Sequence, residues 1–178
     1  AFNTASGVEA LTANTTASYS TAFGRQALAT NTTGASNVAV GYQALKSNTT
    51  ASWNTALGLE ALKANTTATK NTAAGAYAMM ANTTGYNNTA TGYEALKANT
   101  TAASNVAIGY QALLYNTTGA ENTAVGNQAM WENQSASYNT AVGYKALYTN
   151  TTGALNIGIG HGAGDAITTG SNNTIIGD

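Results

Sequence analysis

The stretch NVAVGYQALKSNTTAS, residues 37–52, is a unit of the repeat that decides the fold, and it recurs almost unchanged as NVAIGYQALLYNTTGA at 105–120. One glycine per unit keeps a spacing of 17 residues, without insertion or deletion: Gly7, Gly24, Gly41, Gly58, Gly75, Gly92, Gly109, Gly126, Gly143, Gly160 and Gly177. Ten copies fill residues 1–178, so the sequence predicts a single repeat array whose units pack on their neighbours.

Composition removes several classes of protein and structure. Charged residues make up 7% of the chain and the net charge is -1, which argues against a nucleic-acid surface. Cysteine is absent, so neither disulfides nor thiolate metal sites are available. The apolar runs are too short to span a bilayer. Proline is absent as well, as expected where nearly every backbone N–H is used by a neighbouring strand.

The residues before each glycine predict a short strand. In Val38-Ala39-Val40, β-branched residues alternate with alanine at the period of two that is typical of strands. The strand face that carries this alanine is the same in the other repeats and has almost no side-chain volume, so another backbone can approach it closely.

The segment after the glycine supplies the expected core. One column is Leu or Met: Leu11, Leu28, Leu45, Leu62, Met79, Leu96, Leu113, Met130 and Leu147. At the spacing of about 4.8 Å between neighbouring strands, this column forms a continuous apolar stripe. Because Ala and Leu also favour helices, an α-solenoid or a short helical turn in each coil is the alternative. A helix of about six residues is too short to be stable alone.

The predicted core is lean, which indicates association between chains. Small Ala, Gly and Val side chains with one Leu per coil gain little against a backbone entropy of about 1–2 kcal/mol per residue. Packing the bare Ala/Gly parity against a second chain would offset this deficit. The expected fold is therefore an all-β parallel β-solenoid, or β-roll, of ten 17-residue coils packed with other chains as a homo-oligomer.

The NVAVG and NVAIG strands resemble the head repeats of trimeric autotransporter adhesins. The phrase NTAVGYKALYTNTTGALN, residues 139–156, is similar to the NTAxGxxAL repeats of bacterial surface proteins and phage tail-fibre proteins. This resemblance covers the whole chain, and it implies a parallel β-roll, often trimeric, in a fibrous extracellular protein.

The Asn-Thr-Thr column has three interpretations: side-chain ladders with turn-forming asparagines, N-glycosylation, or ice binding by a threonine array. The candidate glycosylation sites are Asn14, Asn31, Asn48, Asn65, Asn82, Asn99, Asn116, Asn133 and Asn150. Repeat eight alone reads Asn-Gln-Ser, and it keeps a hydroxyl at Ser135. The tenth repeat, atypical from about residue 156, keeps Thr169 although its asparagine has become Ile167. A sequon has no use for a hydroxyl without its asparagine, so the pattern favours a structural turn.

Aromatic side chains are the candidate contacts for a ligand or partner, since they give amphipathic contacts of low entropy. The candidates are Tyr42, Trp53, Tyr93, Tyr110, Trp131 and Tyr144, and Tyr115 and Tyr148 share the segment before the turn with Trp131. The alternative is that they only cover the gaps between coils or chains.

No catalytic residue, metal or cofactor is predicted. His161 is the only histidine and lies in a variable column, and Asp165 and Asp178 are too few for a calcium ladder. The GIGHGAG stretch, residues 158–164, lacks the lysine and the helix of a phosphate loop.

We therefore expect no enzymatic activity, but a segment of a longer fibre protein that stiffens and projects a surface appendage or virion tail fibre outside the cell. The alternative is an adhesive module that binds a cell-surface glycan or receptor, and ice binding is a minor alternative. Nucleic acid and membrane insertion are not expected.

Overall fold

The computed structural model describes residues 2–177 as a stack of coils with one short strand per repeat. The strands are β1 (Thr4–Ser6), β2 (Thr21–Phe23), β3 (Val38–Val40), β4 (Thr55–Leu57), β5 (Thr72–Ala74), β6 (Thr89–Thr91), β7 (Val106–Ile108), β8 (Thr123–Val125), β9 (Thr140–Val142), β10 (Ile157–Ile159) and β11 (Thr174–Ile176). They form one 11-stranded parallel sheet in chain order, in a register such as Ala39 opposite Ala56. Residues 2–177 contain no helix, and the all-β parallel β-solenoid of about ten 17-residue coils is confirmed.

The core lies inside each coil, between the strand and the segment after the glycine. In the third coil, Ala39, Ala44 and Leu45 are all fully buried, and their equivalents form one continuous cluster along the stack. The leucine column is therefore the core, as predicted. The bare alanine parity also faces this core, so the expectation that it packs against a second chain is wrong. Its small side chains let the opposite wall of the same coil approach closely.

The Gln-Ala-Leu segment is a turn with left-handed residues, so the alternative of a helical turn in each coil is wrong. Gln43 and Leu45 have φ values of 57° and 50°, in the left-handed region, which cannot continue a right-handed helix. The N–H of Leu45 donates to the carbonyl of Ala61 in the next coil at 3.0 Å. Bonding between coils thus overrides the helical propensity of this segment.

The repeat glycine satisfies two requirements at once. Gly126 has a φ of 140°, a region that side-chain-bearing residues rarely adopt. A Cβ added to it would lie 2.2 Å from the carbonyl oxygen of Gly143, the corresponding glycine of the next coil. Only glycine fits, which explains the spacing that defines the repeat.

Two ladders of buried asparagines run along the middle of the stack, and in the third to eighth coils they meet at one carbonyl per coil. In the turn ladder, Asn48 Nδ2 donates to Asn31 Oδ1 at 2.7 Å and to the Ala51 carbonyl at 3.0 Å. In the strand ladder, Asn37 Nδ2 donates to the same Ala51 carbonyl at 2.7 Å, while its Oδ1 accepts the Asn54 N–H at 2.9 Å. The asparagines thereby satisfy buried polar groups that the lean core could not otherwise accommodate.

The tenth repeat departs from this scheme. Gly162 and Gly164, with φ values of 67° and 69°, occupy the two left-handed positions that bear side chains in the preceding coils. The turn ladder already ends at repeat eight, with the bond from Asn133 to Asn116, and Asn133 Oδ1 and Asn150 Oδ1 are both buried without a hydrogen-bond partner within residues 2–177. Ile167 replaces the next turn asparagine. The strand register nevertheless continues into β11.

Candidate functional site: an aromatic flank of the solenoid

The candidate glycosylation asparagines are the turn ladder itself. Asn14 is half-buried and the other eight are fully buried. Asn99 is representative, because its Nδ2 donates to Asn82 Oδ1 at 2.7 Å and to the Ala102 carbonyl at 3.1 Å. The fold uses the atom to which a glycan would be attached, which favours the ladder interpretation. The mass of the native protein tests for glycans directly.

The threonines of the same segment have separate roles. The first one bonds to the next coil, as when Thr49 Oγ1 donates to the Thr66 carbonyl at 3.2 Å. The hydroxyl that bonds between coils is therefore that of the first residue after the asparagine. Ser135 occupies the second position, so the hydroxyl kept in repeat eight is not the bonding one. In repeat eight, Gln134 replaces the bonding threonine. This column of hydroxyls serves the stack, and thermal hysteresis would test ice binding.

Tyrosine side chains form one flank of the rod, on the segment after the glycine. Tyr93 and Tyr110 stack with ring centroids 5.5 Å apart, and Tyr144 stacks on His161 at 5.0 Å. Tyr42 lies 5.8 Å from the guanidinium of Arg25. These candidate residues therefore belong to one exposed surface, where stacking follows from the coil spacing.

Trp131 lies on the same flank, within a second row of rings. Its indole packs edge-on against Tyr115 at 4.7 Å and stacks on Tyr148 at 5.3 Å, nearly parallel. The Lys145 ammonium lies 5.4 Å from the Tyr144 ring and 4.9 Å from the Tyr148 ring, so it links the two rows. The structure thus joins five of the six sequence candidates into one flank.

Trp53 is the exception. It lies before β4, is 62% exposed, and joins no ring stack within residues 2–177. Trp53 is therefore a suitable control for an exposed tryptophan outside the flank.

The Tyr115–Trp131 pair separates two recesses in this flank. The first has a volume of about 440 Å³ and is lined by Tyr115, Trp131, Glu132 and Gln134. The second has a volume of about 310 Å³; besides the ring pair, it is lined by Met80, Ala81, Glu94, Lys97, Ala98, Gln111 and Leu114. Volumes of this order are typical of sites for small molecules. We call the two recesses together the aromatic cleft.

Charge in the second recess is locally neutralised. Lys97 Nζ and Glu94 Oε1 are 2.7 Å apart, and Gln111 Nε2 donates to Glu94 Oε2 at 2.8 Å. Burial raises the pKa of Glu94, but the hydrogen bonds from Lys97 and Gln111 outweigh it and leave the pKa below its usual value. The hydrogen bond to Glu94 raises the pKa of Lys97, and the negative charge of Glu94 raises the pKa of Tyr93. This recess therefore stays paired and ionised near neutrality.

Glu132 and Gln134 line the first recess but are not among the candidates predicted from the sequence. The signal that could have found them is internal to the repeat, because the position of Gln134 is threonine in the nine other repeats. The position of Tyr115 and Glu132 is Ala, Ser or Thr in the eight others. Stacking at a period of 17 places these departures next to Trp131.

Fold and flank together define a parallel β-solenoid repeat protein with an aromatic surface. Within residues 2–177, no group of three or more His, Cys, Asp or Glu side chains could hold a metal ion, and no helix could cross a membrane. Comparisons of the chain with protein-family models, curated protein sequences and solved structures give no match.

Proposed function

We propose that this chain is a non-enzymatic structural segment, a stiff extracellular shaft that projects a surface appendage or virion tail fibre. The observation that carries this proposal is the uninterrupted bonding between coils. Eleven strands pair in one constant register, and hydrogen-bonded asparagines accompany them, from Asn37 to Asn173 beside the strands and from Asn31 to Asn133 in the turns. At about 4.8 Å per coil, ten coils make a rod on the order of 50 Å long.

Stiffness follows from the direction of these bonds. Backbone N–H groups donate from coil to coil in the strand, after the glycine and in the Asn-Thr-Thr turn, as in Val38 to Asn54 at 2.9 Å and Leu45 to Ala61 at 3.0 Å. Bending the rod would stretch such bonds on one side, where the packed alanine and leucine core leaves no room for adjustment. Each further repeat lengthens the shaft without changing its cross-section.

We further propose that copies of the chain associate through the outer face of the sheet. Its two columns carry Thr, Ser and apolar residues from β1 to β11 and no charged residue; Val40, Leu57 and Ile108 are exposed. Depletion of charge is typical of interface centres. Two columns along about 50 Å offer roughly 500 Å² per chain, near the lower limit for a specific interface.

Deletion of one whole repeat tests the shaft. Removal of residues 37–53 preserves the phase, so the variant is expected to fold and to be shorter by about 4.8 Å in solution scattering. Removal of residues 37–45 alone destroys the phase and serves as the control that should unfold. A compact globular particle, or equal damage by both deletions, would refute the shaft.

Sedimentation tests association, with Ile108→Glu as the variant, because it places a charge at the centre of the proposed interface. The variant is expected to sediment as a smaller species than the wild type. A wild-type chain that is monomeric at all concentrations would refute association through this face.

A further inference from the structure

We propose that the aromatic cleft binds a neutral oligosaccharide. Tyr115 and Trp131 would supply the stacking surface, and Glu132 and Gln134 would bind hydroxyl groups. This inference goes beyond the shaft, because a rod needs no cleft, and each proposal survives failure of the other.

The first argument is the local departure from the repeat. Elsewhere Thr49 and its equivalents bond to the next coil, but repeat eight has Gln134 at this position and so lacks that bond. The bulky or charged Tyr115 and Glu132 stand where eight other repeats have small residues. The other repeats fold without these side chains. Tyr115, Glu132 and Gln134 nevertheless all line the same recess of about 440 Å³. This concentration indicates selection for a site rather than for the stack.

The second argument is the chemistry of the cleft. The rings of Tyr115 and Trp131 meet edge to face and offer flat apolar surface beside carboxylate and amide groups. The indole Nε1–H of Trp131 is buried without a hydrogen-bond partner in the described chain. Since this atom is itself covered, the cleft offers a ligand the ring surfaces and the Glu132 and Gln134 side chains. A sugar ring combines an apolar C–H face with hydroxyls on its rim, which matches this arrangement.

The second recess indicates an extended ligand. It shares the Tyr115–Trp131 pair and runs from Met80 to Trp131 over four successive coils, a span of about 14 Å between the first and the last. Glu94 and Gln111 also line this side, but they are already hydrogen-bonded to Lys97, to Gln128 and to each other, so this recess adds mainly apolar surface. A short oligosaccharide along the rod axis would therefore contact both recesses, with the aromatic pair between its sugar units.

Charge and backbone bonding argue against other ligand classes. Glu94, Glu132 and Lys97 give the cleft a net charge of one negative unit, by the sum of two carboxylates and one ammonium, so polyanions such as nucleic acids are disfavoured. A peptide that adds a strand needs an unpaired edge. Here Tyr115 N–H already donates to the Trp131 carbonyl in the adjacent coil at 3.2 Å.

The test uses the full chain on an array of neutral and acidic oligosaccharides, followed by calorimetric titration with the best neutral probe. We expect binding of neutral oligosaccharides that is stronger for chains of three or more units than for monosaccharides. Trp131→Ala is expected to weaken it at least tenfold, as for an aromatic residue at the centre of an interface. A wild-type chain that binds no neutral oligosaccharide, or that prefers polyanions or peptides, overturns the proposal.

A matched pair of variants separates binding from folding. The double variant Glu132→Ala and Gln134→Thr restores residues that other repeats carry at these positions, so it should fold as well as the wild type but bind at least several-fold more weakly. Trp53→Ala removes the tryptophan outside the cleft and should leave binding unchanged. Full binding by the double variant, or equal losses in the Trp53 and Trp131 variants, would assign the binding elsewhere.

Discussion

Asn99→Asp tests the buried turn ladder by changing its chemistry without changing its shape. Asn99 is fully buried, and its Nδ2 donates to Asn82 Oδ1 at 2.7 Å and to the Ala102 carbonyl at 3.1 Å. Its Oδ1 accepts from Asn116 Nδ2 at 3.2 Å. Aspartate keeps the hydrogen bond from Asn116. Its second carboxylate oxygen, however, replaces the Nδ2 donor and faces two acceptors, Asn82 Oδ1 and the Ala102 carbonyl. The variant therefore loses two hydrogen bonds and buries a charge.

The magnitude follows from the cost of that charge. Truncating a partner of a buried pair so that a charge is left uncompensated lowers stability by about 3–5 kcal/mol. The aspartate escapes part of this cost by binding a proton, so its pKa in the folded chain rises above the unfolded value of about 3.9. A rise of three units corresponds to about 4 kcal/mol at pH 7. We expect a loss of about 4 kcal/mol at pH 7, above the 1–3 kcal/mol of an unsatisfied neutral group.

Guanidinium unfolding of variant and wild type at several pH values measures this loss. The pKa of the new carboxyl is higher in the folded chain than in the unfolded chain. The destabilisation caused by its charge should therefore be absent below about pH 4 and should grow as the pH rises from there to the folded pKa. Asn87→Asp is the control, since Asn87 is exposed and the same change there should alter stability by no more than about 0.5 kcal/mol. Equal losses in both variants at pH 7, or a loss at Asn99 that does not depend on pH, would refute the ladder as a stabilising element.

Three further substitutions test other parts of the stack. Gly109→Ala should lower the unfolding midpoint strongly, by an equivalent of about 3 kcal/mol, because φ is 135° and the new Cβ would lie 2.3 Å from the Gly126 carbonyl oxygen; an unchanged midpoint would show that the coils can separate. Ser104→Gly should raise stability by about 0.5–1 kcal/mol, because φ at Ser104 is 60°, whereas Ala103→Gly, outside the left-handed positions, should lower it by a similar amount. Ile167→Asn should supply a donor to the unpaired Asn150 Oδ1 and raise the free energy of unfolding by about 1 kcal/mol, and a lower stability would mean that the packing of Ile167 matters more.

The period, the strands and the leucine core could be read from the sequence, because each is a property of a column. A spacing of 17 residues implies that like residues stack, so Leu45 and its equivalents had to form a stripe, and Asn48 and its equivalents a ladder. The flank of tyrosines was predictable for the same reason. The exposed candidates among them were identified without any structure.

The tertiary structure decided which face of the strand is inside and where the cleft lies. Alternation at a period of two separates Ala39 from Val38 and Val40, but it does not say which parity is buried. The interior of a coil with one leucine is so narrow that only alanine fits opposite it, and the larger side chains are left outside. The Gln-Ala-Leu turn likewise depends on hydrogen bonds to the next coil, which local propensity does not contain. The recess beside Trp131 exists because residues of neighbouring repeats meet only when the coils stack, so no single repeat contains it.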